Sequence, residues 1–170
     1  MASVVTTPSV RPAAATPAAG RRSALLSNRG LFIAASLSLG AGLVHLEVTN
    51  EHWTWYGYGL FFLLTGIGQA LYAPILVKWP NALTFWVGIV GNLGIVGMYL
   101  VTRTNGIPVG PAAGHIERVG SGDFITTMGE FLLAGMLIAA LGPKARSRAM
   151  TLMALAGLGI WALRLTNNLL

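Results

Sequence analysis

The sequence predicts an all-α integral membrane protein, a helical bundle of about five transmembrane helices. Three observations predict this fold class: the composition, five long apolar stretches and the placement of the basic residues. The 170-residue chain is 54% hydrophobic and only 9% charged. A soluble domain of this size cannot bury that much apolar surface, so lipid must cover part of it.

The five apolar stretches are each close to the length of about 20 residues that crosses a hydrocarbon core as a helix. They are continuous rather than alternating, which favours helices over the strands of a barrel. The fifth is the weakest, because Arg164 shortens it, so four spans plus an interfacial helix is the alternative. The stretches cover residues 30–48, 55–77, 82–102, 124–141 and 149–165.

The basic residues predict the orientation of the bundle. Cytoplasmic segments of membrane proteins carry an excess of Lys and Arg. With the N-terminus in the cytoplasm, eight of the 11 basic residues fall on that side, namely Arg11, Arg21, Arg22, Arg29, Lys78, Lys144, Arg146 and Arg148. We therefore predict a cytoplasmic N-terminus.

Outside the helices, the chain divides into a tail and one long loop. Residues 1–29 are rich in Ala, Pro, Thr and Ser without an apolar period, which predicts a flexible cytoplasmic tail. Residues 30–170 form the bundle. Its outer loop, residues 103–123, contains Gly and Pro that can set turns, and we expect it to be ordered and to fold back over the bundle. The side chains expected to be buried there are Ile107, Val109, Ile116 and Val119.

Several function classes are excluded or disfavoured. The chain has no cysteine, which excludes disulfides, thiolate metal sites and cysteine nucleophiles. The net charge of +6 comes from short basic clusters between apolar runs, which report topology rather than nucleic-acid binding. No hydrolase triad order and no nucleotide-binding motif is present. The sequence thus assigns no catalytic or cofactor-binding residues and favours a non-enzymatic role, while leaving an enzyme open.

The acidic residues and histidines predict a polar cluster on the outer face. All five carboxylates and all three histidines fall on the outer half, a bias that the positive-inside rule does not explain. His45 shares a face of the first helix with small residues, and Glu130 lies roughly 10 Å inside the fourth helix at 1.5 Å per residue. Both are costly in an apolar span, so we expect them to meet if these two helices are neighbours. The alternatives for the pair are a structural hydrogen bond, a proton-bearing pair or half of a metal site.

The same residue types suit Cu or Zn. The candidate metal ligands are His45, His52, His115 and Glu130. His45 and Glu47 point about 200° apart on an ideal helix, so a site that shares them requires the first helix to end near Glu47.

Two amides are expected near the middle of the bilayer, Gln69 on the second helix and Asn92 on the third. Such amides are usually interhelical hydrogen bonds, and the alternative is a polar passage or substrate site.

Two outer segments carry a resemblance. The stretch HLEVTNEHWTWYGYGLFFLLTGIGQALY, residues 45–72, and the stretch GIPVGPAAGHIERVGSGD, residues 106–123, resemble small polytopic membrane proteins of actinobacteria and related bacteria. The resemblance covers most of residues 31–140. It implies a multi-pass membrane protein and no particular activity, cofactor or catalytic residue.

These observations favour a small protein of the bacterial plasma membrane, an accessory subunit or binding component of a larger membrane complex. Its partners would be the lipid bilayer and either other subunits or copies of itself. The rival interpretations are a metal-handling or redox membrane protein and a small proton-coupled transporter.

Overall fold

The computed structural model describes residues 28–167, and this part of the chain is a bundle of five long helices. Helix α1 covers Asn28–Val48 and continues into a 3-10 turn at Thr49–His52. It is followed by α2 (Tyr56–Lys78), α3 (Ala82–Thr104), α4 (Ser121–Ala140) and α5 (Pro143–Asn167). All five are long and apolar enough to cross a membrane, which confirms the predicted fold class. Residues 1–27 of the predicted tail lie outside the described residues.

The helices alternate in direction, so the bundle has two distinct ends. The turn end carries the short links from α2 to α3 and from α4 to α5. The loop end carries the 3-10 turn and the long segment between α3 and α4. At the turn end, the Asn81 side chain accepts hydrogen bonds from the backbone nitrogens of Leu83 and Thr84 and so caps α3.

Helix α5 begins six residues before the predicted stretch and runs the full length of the bundle. Pro143 is favoured at the first position of a helix, and the basic residues that follow it lower hydropathy without opposing helix formation. At the far end, Arg164 Nη1 donates to the Thr104 carbonyl oxygen at 2.6 Å and Asn105 Nδ2 donates to the Leu163 carbonyl oxygen at 3.2 Å. These contacts reach the loop end, so α5 has the geometry of a fifth span rather than of an interfacial helix.

Helix α1 is central to the packing. It lies against α2 and α4, and α3 packs on the other side of α4, while α2 and α3 make few direct contacts. The α1 to α2 contact is close because two glycines face each other. A Cβ on Gly42 would lie 2.8 Å from the Ala70 backbone nitrogen and 2.9 Å from the Gly66 carbonyl oxygen. Small residues that let backbones approach are typical of membrane helix pairs.

The turn end of the bundle is filled by apolar side chains. Leu76, Leu133 and Leu137 are fully buried there, together with Ile89 and Leu141. Most buried polar side chains lie in the middle of the bundle or nearer the loop end, with Thr84 at the turn end as an exception. The interior is therefore mainly apolar toward the turn end and more polar toward the loop end.

The segment between α3 and α4 lies against the loop end. The Glu117 backbone nitrogen donates to the Thr102 carbonyl oxygen at 3.0 Å, and the Tyr58 hydroxyl donates to the Val109 carbonyl oxygen at 2.9 Å. Gly110 has a φ of +81°, and a Cβ there would lie 2.7 Å from the Tyr58 hydroxyl oxygen. The expected burial of the loop's apolar side chains was wrong for Val109, Ile116 and Val119, which are exposed. The segment is held by hydrogen bonds to its backbone rather than by burial of these side chains.

The close α1 to α2 approach makes a prediction about stability. We expect Gly42→Ala to lower the free energy of unfolding by about 1–2 kcal/mol, because overpacking outweighs the gain in helix propensity. The matched change Gly40→Ala, on the same helix with nothing within 4 Å of its Cβ, should be neutral or stabilising. Thermal unfolding in detergent measures both, and equal effects of the two changes would contradict the packing described.

Candidate functional site

Four helices each contribute one polar side chain to a cluster inside the bundle. The residues are His45 from α1, Gln69 from α2, Asn92 from α3 and Glu130 from α4. None is more than 6% exposed. Because a buried polar group without a partner destabilises the fold, these side chains must satisfy one another.

Gln69 is the centre of the cluster. Its Nε2 atom donates to Glu130 Oε1 at 2.8 Å and lies 3.3 Å from Asn92 Oδ1. Asn92 Nδ2 in turn donates to the Gly88 carbonyl oxygen at 2.7 Å, which orients its oxygen toward Gln69. One amide thus joins α2 to both α3 and α4, where α2 and α3 otherwise make few contacts.

The histidine of the cluster has a defined tautomer. His45 Nδ1 lies 2.9 Å from the Ala41 carbonyl oxygen, which can only accept, so Nδ1 carries a hydrogen. In the neutral ring, Nε2 is therefore an acceptor. It faces Glu130 Oε1 at 3.8 Å, beyond direct hydrogen-bond length.

His45 and Glu130 together can hold one proton. With the proton on the carboxyl, both side chains are neutral, and with the proton on Nε2 they form an ion pair. Either form leaves the pair without net charge, which is the state an apolar bundle tolerates.

Backbone contacts fix the cluster in place. The Ser38 hydroxyl donates to the Gln69 carbonyl oxygen at 2.8 Å, which is possible because Gly42 and Gly66 bring α1 and α2 together. The Thr49 hydroxyl donates to the His45 carbonyl oxygen at 2.7 Å, at the point where α1 changes to the 3-10 turn.

Three polar atoms at the site have no hydrogen-bond partner among the described residues: Gln69 Oε1, the Tyr99 hydroxyl and Arg103 Nε. All three are shielded from solvent. The site therefore has hydrogen-bonding capacity that the described part of the protein does not use.

A cavity of about 640 Å³ extends from the loop end to the cluster. His45, Thr127 and Glu130 line its inner part, and charged residues of the 3-10 turn and the α3 to α4 segment line its mouth. Aromatic rings form much of the wall, contributed by Trp55, Tyr58, Phe61, Phe62 and Tyr99. The Phe62 ring stacks near both His45 and His52, with ring centroids 5.8 Å and 4.0 Å away.

An arginine is clamped at the mouth of the cavity. Arg103 Nη1 lies 2.5 Å from Glu117 Oε2, and Nη2 lies 2.6 Å from Asp123 Oδ2. Its guanidinium also stacks 4.5 Å from the centroid of the Tyr99 ring. Each of its terminal nitrogens faces a carboxylate, so the positive charge of Arg103 is matched locally.

The structure brings together only part of the predicted site. The contact between His45 and Glu130 and the adjacency of α1 and α4 are confirmed. His52 also lines the cavity, with Nδ1 bonded to the Val48 carbonyl oxygen at 2.7 Å. His115, in contrast, is exposed on the α3 to α4 segment and does not line the cavity, and Glu47 is exposed on α1.

The Cu or Zn site stays a prediction. In the described range of the chain, no group of three or more His, Asp or Glu residues is arranged to hold a metal ion. His45 and Glu130 supply two suitable donors, fewer than a closed structural zinc site uses.

Sequence reasoning missed that Gln69 and Asn92 belong to the same cluster as the pair. The expected interhelical hydrogen bond of these amides is present, but it also includes Glu130. Depths counted from helix ends placed the amides near the middle of the bilayer and the pair nearer the outer end, whereas in the structure all four side chains meet. The shared small-residue faces were the signal that could have joined them.

The described part of the chain has the architecture of a small multi-pass membrane protein with an internal polar site. Comparisons of the chain with protein-family models, curated proteins and solved structures gave no match. The resemblance to small actinobacterial membrane proteins therefore stays a prediction, and function must be argued from the site.

The central role of Gln69 can be tested by a double-mutant cycle. We expect Gln69→Ala and Glu130→Ala each to destabilise the detergent-solubilised protein, and the double change to cost about 1 kcal/mol less than their sum. Pairing Gln69→Ala with Thr126→Ala is the control, because the Thr126 hydroxyl bonds within its own helix and both effects should add. Additivity in the first cycle would show that the Gln69 to Glu130 contact contributes nothing to stability.

Proposed function

We propose that this protein is a binding component of the plasma membrane. Its small ligand enters the loop-end cavity from the outer side and is bound there. The observation that supports this most strongly is the loop-end cavity, with the His45–Glu130 pair in its inner part. Its volume of about 640 Å³ is in the range typical of small-molecule sites, which are mostly apolar with a few placed polar groups.

The orientation of the proposed site follows from the basic residues. Lys78 lies at the turn end, as do Lys144, Arg146 and Arg148 at the start of α5. Such an excess favours the cytoplasmic side. The loop end and the mouth of the cavity would then face outward.

Binding explains the site better than passage across the membrane. Below the polar cluster the interior is packed with Leu76, Leu133 and Leu137, so the described residues form no continuous polar route to the turn end. A chain that binds a ligand but lacks recognisable catalytic residues needs another component to use that ligand. For this reason the proposal includes a larger membrane complex or a homo-oligomer.

A proton-coupled carrier is the second candidate. The observation that favours it is that His45 and Glu130 can share a single proton within an apolar bundle, as proton relays in transporters do. It requires a second conformation in which the apolar half opens.

The proposed orientation predicts the sidedness of labelling, and the absence of native cysteine makes the test clean. In intact cells, a membrane-impermeant maleimide should label Ala113→Cys, in the α3 to α4 segment, and should leave Ser147→Cys unlabelled until the membrane is opened. The reverse pattern would place the mouth of the cavity on the cytoplasmic side and would contradict binding of a ligand from outside.

Access to the cavity can be tested with neutral methyl methanethiosulfonate on purified protein. Thr127→Cys lines the cavity, so we expect it to react in the folded state. Ala134→Cys lies two helical turns farther on the same face of α4, is fully buried and should react only after unfolding. Ile95→Cys, on the α3 wall, is a second cavity position. Protection of both cavity cysteines to the level of Ala134→Cys would show that the cavity is closed to small molecules.

A further inference from the structure

We propose that the ligand of the loop-end cavity is a small organic cation, an ammonium that carries N–H donors beside an apolar group. This inference deepens the proposed function and depends on the cavity being a binding site. Three independent features of the site support it: the hydrogen-bond chemistry of the inner part, the balance of charge and the aromatic wall.

The inner part of the cavity offers acceptors and few free donors. His45 Nε2 is an acceptor in the neutral ring because Nδ1–H is held by the Ala41 carbonyl. Gln69 does not line the cavity, and its Nε2 is directed to Glu130 and Asn92, so this donor group is not available to a ligand. Glu130 adds a carboxylate. A ligand with several N–H donors fits this set, whereas a carboxylate or phosphate would find only the single proton that the His45–Glu130 pair holds.

The charges that face the cavity are also unequal. Besides the His45–Glu130 pair, which has no net charge, three carboxylates line it, Glu51, Glu117 and Asp123, against two arginines, Arg103 and Arg118. Two of these carboxylates hold Arg103, so the charge of that guanidinium is already matched, although its Nε has no partner among the described residues.

Glu130 is the carboxylate best placed to hold a cation. In the described chain its only ion-pair partner is His45, which is neutral when the proton lies on the carboxyl. An ammonium could replace that proton and give Glu130 a fixed positive partner in a setting where solvent screening is weak. The ligand's positive charge would thereby compensate the cost of a buried carboxylate.

The aromatic side chains that line the cavity are the third feature that favours a cation. Aromatic faces attract ammonium groups by about 0.5–2 kcal/mol, and more when water is excluded. Phe62 of α2 and Tyr99 of α3 both line the cavity. The Tyr99 ring already stacks on the guanidinium of Arg103, which shows that this wall accommodates a cation.

The first test uses paired thiol reagents of opposite charge. On Thr127→Cys, the rate with the cationic 2-(trimethylammonio)ethyl methanethiosulfonate is divided by the rate with the anionic 2-sulfonatoethyl methanethiosulfonate. We expect this ratio to exceed the ratio at the exposed Ala113→Cys by about tenfold, because a cleft lined by negative charge concentrates cations. A cation near Glu130 favours the ionised carboxylate, so Glu130→Gln, which cannot ionise but keeps an acceptor oxygen for Gln69, should reduce the excess.

Glu47→Gln is the matched control for that change. It makes the same carboxyl-to-amide change at an exposed position on α1 outside the cavity, so the ratio at Thr127→Cys should not change. An equal or greater rate for the anionic reagent would overturn the cation proposal while leaving an open cavity intact. Failure of every reagent, including the neutral one, at both Thr127→Cys and Ile95→Cys would overturn the binding site itself.

The second test measures protection by three probes of one shape. With neutral methyl methanethiosulfonate as the reagent, 2-phenylethylammonium should slow modification of Thr127→Cys at least about threefold at saturation. Neutral 2-phenylethanol and anionic 3-phenylpropanoate should protect less, and the advantage of the ammonium should disappear in Glu130→Gln and persist in Glu47→Gln. Equal protection by all three probes, or an advantage that survives Glu130→Gln, would overturn the proposal.

Discussion

The structure depends on how an apolar bundle accommodates the carboxyl group of Glu130. A lone charge there would be prohibitively costly, and the chain offsets that cost with a hydrogen bond from Gln69 and a histidine 3.8 Å away. Because these partners come from α2 and α1, the carboxyl group also determines which helices must meet. Asn92 extends the same network to α3. The same hydrogen bonds therefore satisfy the buried polar groups and determine which helices pack together.

Close packing of the helices allows this network of polar side chains to form. The Gly42 to Gly66 contact brings α1 close enough to α2 for Ser38 to reach the Gln69 backbone, and α1 presents His45 to α4 from the same face. At the turn end, tightly buried leucines supply most of the apolar core. This division leaves the loop end free to hold a cavity, since its walls do not have to supply the main apolar core.

The sequence predicted the fold class well because length and hydropathy dominate in a membrane protein: a continuous apolar stretch has few alternatives to a spanning helix. It predicted the contact of His45 with Glu130 because both are costly residues on faces with small neighbours.

The sequence did not predict the start of α5, because Lys144 and Arg146 lower the hydropathy of the first helical turn. It also did not predict that Gln69 would be the direct partner of Glu130. It also could not predict the cavity, because a cavity depends on the relative positions of several helices and produces no pattern in the sequence of any one helix. The wrong expectation about Val109, Ile116 and Val119 has a similar cause: the segment is held by backbone hydrogen bonds, which composition does not report.

Binding of a small cation beside Glu130 would be seen in an experimental structure of the protein with 2-(4-bromophenyl)ethylammonium, in which the bromine can be located by its anomalous scattering. We expect one bromine among the aromatic residues of the loop-end cavity, with the ammonium nitrogen within hydrogen-bond distance of the Glu130 carboxylate. Bromine found only on the outer surface of the bundle, or a bound probe with its ammonium directed away from Glu130, would contradict this proposal.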